Sequence, residues 1–240
     1  MNRSHALLAC LLTASLLAAC SSPPIARRDG SSSVRSFSIK QLAKGDVDTV
    51  IEIHQQEVIT VLKTLTLKLY RRNPNEWRKS GFASADEAAA ALFRPVENWQ
   101  LAPHKDLPWE TALLEPWRTD FTGDRVKPLM HGLLVMHMGA FDHQTEFYLL
   151  TEVDAQKLYN AARNTEAVAW KLSNARNAQG ELILHSNSMD AGGVPNLSFE
   201  REFGKLIGLQ DTLAKIIEDK SNRAIRFGVV NVASMVFLPI

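Results

Sequence analysis

DVDTVIEIHQQEVITVLKTLTLKLYRR, residues 46–72, decides the fold. The run contains neither Gly nor Pro. Val47, Ile51, His54, Val58, Val61, Leu65 and Lys68 recur at alternating spacings of four and three, which places them on one face of a helix. Ile59, Val61, Leu65, Leu67 and Leu69 also satisfy a strand period, and the β-branched residues favour one. Length without a breaker decides for a long helix, ended by Asn73-Pro74, where Pro74 can open a short helical turn.

Outward from this helix the pattern stays helical. Ser84-Ala85-Asp86-Glu87 reads as a capping box before an alanine-rich helix running to about Phe93. Residues 95–123 hold four prolines together with Trp99, Trp109 and Trp117, and read as short helices and loops folded over a core. An apolar helix is expected from Asp124 or Arg125 to about Phe141. Thr151-Glu152-Val153-Asp154 offers the next start, with acids in the first turn. The helix behind it carries Leu158, Ala161, Ala162, Thr165, Ala169 and Leu172 on one face and should stop near Asn177. Leu182-Ile183-Leu184 is the candidate strand, so any β element is expected to be short and near 181–186. Ser198 is expected to cap a helix to about Lys220, with Phe199, Phe203, Leu206, Ile207, Gln210, Leu213 and Ile217 inside. The apolar run from Ala224 to Leu238 reads as a buried helix, with a pair of strands as the alternative, and Val230 as a core residue. Gly204 and Gly208 on one segment, and Ala224 and Gly228 on the other, have the spacing that lets helices approach closely. Packing of these two segments is the plain reading, and a self-association face the functional one. The expectation is a predominantly α fold in one multi-helix domain spanning 46–240.

The N-terminus is of a different kind. Arg3 precedes an apolar run from Ala6 to Ala19 that is too short to cross a bilayer core of about 30 Å. It ends in Leu17-Ala18-Ala19-Cys20, which resembles the lipobox of bacterial lipoproteins. Leu7-Leu8-Ala9-Cys10 has the same local pattern, but too few apolar residues precede it. The resemblance implies a signal peptide over 1–19, a lipidated Cys20 and a membrane anchor through that lipid. Ser21 and Ser22 follow where an inner-membrane retention signal would carry Asp. The resemblance therefore implies the outer membrane, with a domain facing the periplasm. Residues 20–45, rich in Ser, Pro and Arg, read as a flexible tether that should be dispensable for folding.

Composition narrows the function. The chain has 240 residues, 45% hydrophobic and 22% charged, an ordinary globular balance. The net charge of +1 gives no broad basic field, so nucleic acid is not an expected partner. Arg27, Arg28, Arg35, Lys40 and Lys44 face Asp29 alone in the tether, a bias that suits an anionic membrane surface as well as a solvated linker. The two cysteines are Cys10 and Cys20. A chain processed at Cys20 would keep no free thiol for a disulfide, a thiolate metal site or cysteine catalysis.

Met130-His131, Met136-His137-Met138 and His143 carry soft and imidazole donors of the kind that bind copper. On a helix Met130 aligns with His137 and His131 with Met138, but each pair stands about 10.5 Å apart along the axis, too far to share one ion. Methionine as core filler is the competing reading, and no metal or cofactor is expected. His54 lies on the apolar stripe, and His104, between Pro103 and Lys105, reads as exposed loop. Asp142-His143 with Glu146, and His185 with Ser186, Ser188 and Asp190, are the two sets that could do acid–base work, though neither has a partner constellation legible in sequence. No nucleophile elbow, zinc-protease motif or phosphate loop is present. The expectation is a non-enzymatic envelope scaffold or protein-binding factor. The alternatives are a binding module for an apolar ligand or lipid and, behind it, an enzyme at His143 or His185 or a Met/His metal binder. A filled core with exposed apolar residues would favour the first, a deep apolar cavity the second, and convergent His and acid side chains the third.

Overall fold

The computed structural model describes residues 25–26, 32–33 and 45–240, apart from 98–107, 149, 190–192, 222–224 and 227–234. The chain divides into two compact units, Met1–Asp46 and Val47–Ile240. In the first, within the stretch read as a flexible tether, β1 (Ile25–Ala26) pairs antiparallel with β2 (Ser32–Ser33).

The second unit is predominantly α. Its elements are α1 (Asp46–Arg72), α2 (Pro74–Lys79), α3 (Ala85–Glu97), α4 (Trp109–Leu114), a single 3-10 turn (Glu115–Trp117), α5 (Val126–Ala140), α6 (Ala155–Asn174) and α7 (Ser198–Ser221). A two-residue hairpin, β3 (Ser188–Met189) with β4 (Pro195–Asn196), precedes α7. The expected strand near 181–186 reduces to one bridge, Leu182 to Arg176, and the ladder lies further along the chain.

α1 has the expected bounds, but its buried face is rotated. Gln55, Leu62, Leu69 and Tyr70 join Ile51, Val58, Val61 and Leu65 inside, while Val47, His54 and Lys68 sit at the margin. A middle rich in threonines and aliphatics does not fix a face by itself; the neighbours that α1 meets do. Those contacts stitch it along its length. Gln55 donates to the carbonyl of Gln144, and Glu52 accepts from the Phe147 N–H. Lys68 donates to the Ser198 carbonyl and to Glu202 at the start of α7.

Ser84 accepts from the Glu87 N–H as the capping box requires, but Glu87 reaches back to the N–H of Ala83 rather than Ser84. α3 runs past Pro95 to Glu97. The start of α6 is a correction: Asp154, not Thr151, caps it, accepting from the Gln156 N–H, and no acid lies in its first turn. Before α7, Asn196 accepts from the Ser198 N–H, and Ser198 is the first residue of the helix rather than the residue before it.

α5 is the centre. Leu129, Met130, Leu133, Leu134, Met136 and Met138 are all buried, as are its two histidines. Gly132 admits α4: a Cβ there would lie 2.8 Å from the Leu113 side chain and 3.0 Å from its backbone nitrogen. α6 and α7 make the largest helix–helix contact, and the expected stripe residues of both are buried except Ile207, which is half-exposed. Gly204 and Gly208 correct the close-approach reading: both are exposed, with nothing within 4 Å of an added Cβ. The helix expected over 224–238 is also corrected. Ile225, Arg226 and the residues from Met235 onward are non-helical, and Val230 and Gly228 lie outside the described residues.

The start of α5 is fixed by Asp124. One carboxylate oxygen accepts from the N–H groups of Val126 and Lys127, and the other from Tyr70 Oη at 2.8 Å and Ser80 Oγ at 3.0 Å. Burial raises the Asp124 carboxyl above its ordinary value, against those four accepted bonds, and burial likewise raises the Tyr70 phenol. Beside it Glu76 accepts from the Arg125 N–H, while the Arg125 guanidinium holds the carbonyls of Pro116, Arg118 and Phe121. α1, α2 and α5 therefore meet at one carboxylate. Asp124→Ala should destabilise the fold by about 2–4 kcal/mol, because it leaves a buried phenol and two helix-end N–H groups unpaired. Urea unfolding at neutral pH measures the difference; a loss below about 1 kcal/mol would contradict the anchoring role.

Candidate functional site

The Met/His group on α5 is core. Met130, Met136 and Met138 are fully enclosed, and His131 is buried. His137 is completely enclosed between α6 and α7, where both ring nitrogens are used. Gln210 Nε2 donates to Nδ1 at 2.8 Å, and Nε2 lies 3.1 Å from Thr165 Oγ1. The Thr165 hydroxyl donates to the Ala161 carbonyl, so its oxygen is left to accept from a protonated Nε2. Burial lowers the His137 pKa to about 3, and the ring stays neutral at any physiological pH. Among the described residues no three His, Cys, Asp or Glu side chains group to hold a metal ion.

The other sequence candidates do not converge either. His54 donates Nδ1–H to the Val50 carbonyl on its own helix. Asp142 and His143 form the turn that ends α5, with φ of 51° and 56°, and their N–H groups cap the carbonyls of Gly139 and Met138. Asp142 pairs with Lys157 at 2.5 Å, and Glu146 accepts from the Tyr148 hydroxyl. The set proposed around His143 is a helix terminus. His185 has an exposed side chain but a pinned backbone: Asn73 accepts from its N–H and donates to its carbonyl. Ser186 is buried, and Asp190, His104, Trp99 and Cys20 lie outside the described residues.

Two concave features do emerge. One is an open cleft of about 360 Å³ between the start of α1, the start of α6 and the end of α7. Ile51, Val153, Ile217 and Ile225 form its floor, Lys220, Thr151 and Asp154 its edge, and Leu150 stands 96% exposed at its rim. The other is a groove along α6 filled by the end of the chain. Asn164 accepts from the Leu238 N–H at 2.7 Å and donates to its carbonyl at 2.8 Å. Asn160 donates to the Pro239 carbonyl at 2.8 Å, and Gln156 holds both main-chain groups of Arg226. Comparison of the chain with protein-family models, with characterised proteins and with solved structures finds no match. Sequence reasoning missed this amide row, although Gln156, Asn160 and Asn164 repeat at four-residue intervals beside the apolar stripe of α6. Polar amides at that period on the flank of a buried face signal bonds made outside the helix.

The charged groups with displaced pKa values serve the fold as well. Although burial opposes it, Lys205 and Lys68 hold the Glu202 carboxyl below its ordinary value. Both Glu202 and His137 have lowered folded-state values, so each stabilises the fold at neutral pH and loses that contribution as pH falls. For His137 the loss begins at the unfolded value near 6.5 and continues toward 3. It should amount to about 2 kcal/mol by pH 5. Denaturant unfolding from pH 7 to pH 5 should show this slope for the native chain and a shallower one for His137→Gln. Equal slopes for the two would contradict the assignment.

Proposed function

We propose that the chain is a lipid-anchored envelope protein, attached through Cys20 at the periplasmic face of the outer membrane, and that it binds another protein without catalysing a reaction. The observation that carries this reading is the hairpin before α7. Met189 and Val194 in the hairpin and Leu197 directly after it are 69%, 62% and 56% exposed. A cluster of large apolar residues kept in water within one short hairpin is a feature of interaction surfaces. The binding reading is further supported by the use of His137 in core bonds and of Asp142 and the His143 backbone in a helix end. No described helix is long and apolar enough to cross a membrane. A second reading, an apolar ligand in the cleft beside Leu150, is supported by the exposure of that residue over an isoleucine-lined floor.

Two experiments test the proposal. Metabolic labelling with a fatty-acid analogue should mark the chain and fail on Cys20→Ser; label retained in that variant removes the anchor. A photo-crosslinking residue at Leu197 should give an adduct of one defined mass in intact cells. The same group at exposed Gln179 should not. Val194→Asp should abolish the adduct while shifting stability by less than about 0.5 kcal/mol, as surface changes do. Identical adducts at both positions, or none at Leu197, would overturn the hairpin as a contact surface.

A further inference from the structure

We propose that Met189 is a redox modification site: a two-electron oxidant of the peroxide class converts its thioether to the sulfoxide, and this makes the apolar hairpin before α7 polar without disturbing the fold. The consequence for partner binding rests on the protein-binding reading of the hairpin given above; the selectivity of the modification does not.

The fold divides the methionines into two classes. Met130, Met136 and Met138 on α5 are at most 1% exposed and Met235 is 4% exposed, and all four belong to the apolar core. Met189 is 69% exposed, stands opposite Pro195 in the β3–β4 ladder and lies outside that core. Oxidation of a thioether follows its exposure, so Met189 reacts from solvent while the other four wait for the core to open. The thiols of the sequence are Cys10 and Cys20, both outside the described residues. In a chain processed and lipidated as proposed above, neither is left as a thiol to consume the oxidant first.

The chemistry needs nothing beyond the oxidant. The sulfur lone pair attacks one peroxide oxygen and the O–O bond breaks. The proton on the transferred oxygen passes to the departing hydroxide, giving water. Sulfur loses two electrons and the peroxide gains them. The product carries a strong S–O dipole that requires hydrogen bonds, so burying it against an apolar surface is costly where burying the thioether was favourable. Val194 and Leu197, 62% and 56% exposed, share the patch, so the change falls on the contact surface itself. Exposure also serves the return step. A methionine sulfoxide reductase can reach Met189, where two thiols become a disulfide, the sulfoxide oxygen leaves as water and the thioether is restored.

The first test uses the full chain and graded hydrogen peroxide, with peptide mapping by mass spectrometry. Met189 should gain one oxygen at least about tenfold faster than Met130, Met136, Met138 or Met235. The melting temperature of the singly oxidised chain should shift by less than about 2 °C. Equal oxidation of a core methionine, or a larger fall in melting temperature, overturns the proposal. The second test uses the photo-crosslinking residue at Leu197 in intact cells. Brief peroxide treatment should lower the adduct at least about tenfold, and Met189→Gln, a polar stand-in for the sulfoxide, should lower it without oxidant. Met189→Leu should keep the adduct under the same treatment. Loss of the adduct in Met189→Leu too, or its survival in the oxidised native chain, overturns the switch. With no adduct from untreated cells, the protein-binding reading fails and the modification is judged on the pure chain. The oxidised native chain should then elute earlier from a butyl matrix and oxidised Met189→Leu should not move; unchanged elution of the native chain overturns the proposal.

Discussion

A helix that is apolar on every side has to be enclosed, and α5 imposes that requirement on the rest of the unit. Its methionines and leucines have no polar face to turn outward, so α1, α4, α6 and α7 are placed around it. Gly132 sets how closely α4 can come, and Asp124 fixes the end at which α1 and α2 join. A polar link through the interior, Gln210 to His137 to Thr165, ties α5 to both α6 and α7. An imidazole in that position gives specificity: a slipped helix would leave a ring nitrogen unpaired in a low-dielectric interior.

Enclosing α5 with helices leaves the connecting segments without a sheet to join, and side-chain amides take over that task. Asn73 grips both main-chain groups of His185, Asn164 those of Leu238, and Gln156 those of Arg226. A carboxamide carries a donor and an acceptor in the same arrangement as a peptide unit, so each clasp imitates one rung of a β ladder. This is why the described residues contain so little strand although several segments run extended. The Asn164 and Gln156 clasps bind residues 238 and 226 to α6, far from it in the chain.

The titratable groups follow the same logic. Asp124 and Glu76 satisfy the N–H groups around the start of α5, Glu202 joins Lys68 of α1 to Lys205 of α7, and Arg163 joins α6 to Asp211 of α7. Asp124, whose carboxyl burial raises, and Glu202, whose carboxyl Lys205 and Lys68 lower against burial, are thus bound into a helix start and a helix pair.

The sequence by itself determined the helical class, the bounds of α1, the interior stripes of α6 and α7 and the apolar character of α5, because each rests on local periodicity and on breakers such as Asn73-Pro74. It did not decide which side of α1 turns inward, since Gln55 and His54 differ only in what they meet, the Gln144 carbonyl in one case and a carbonyl of the same helix in the other. It read the last segment as a helix because its residues are apolar, yet apolar residues serve an extended strap equally well once Asn160 and Asn164 are there to satisfy its backbone. Likewise His137 resembled a metal ligand in sequence, and only its position between Thr165 and Gln210 shows that both nitrogens are taken. Periodicity is a property of neighbours along the chain, whereas the partner of a buried amide or imidazole is a property of residues far apart in it, and only the tertiary structure brings those together.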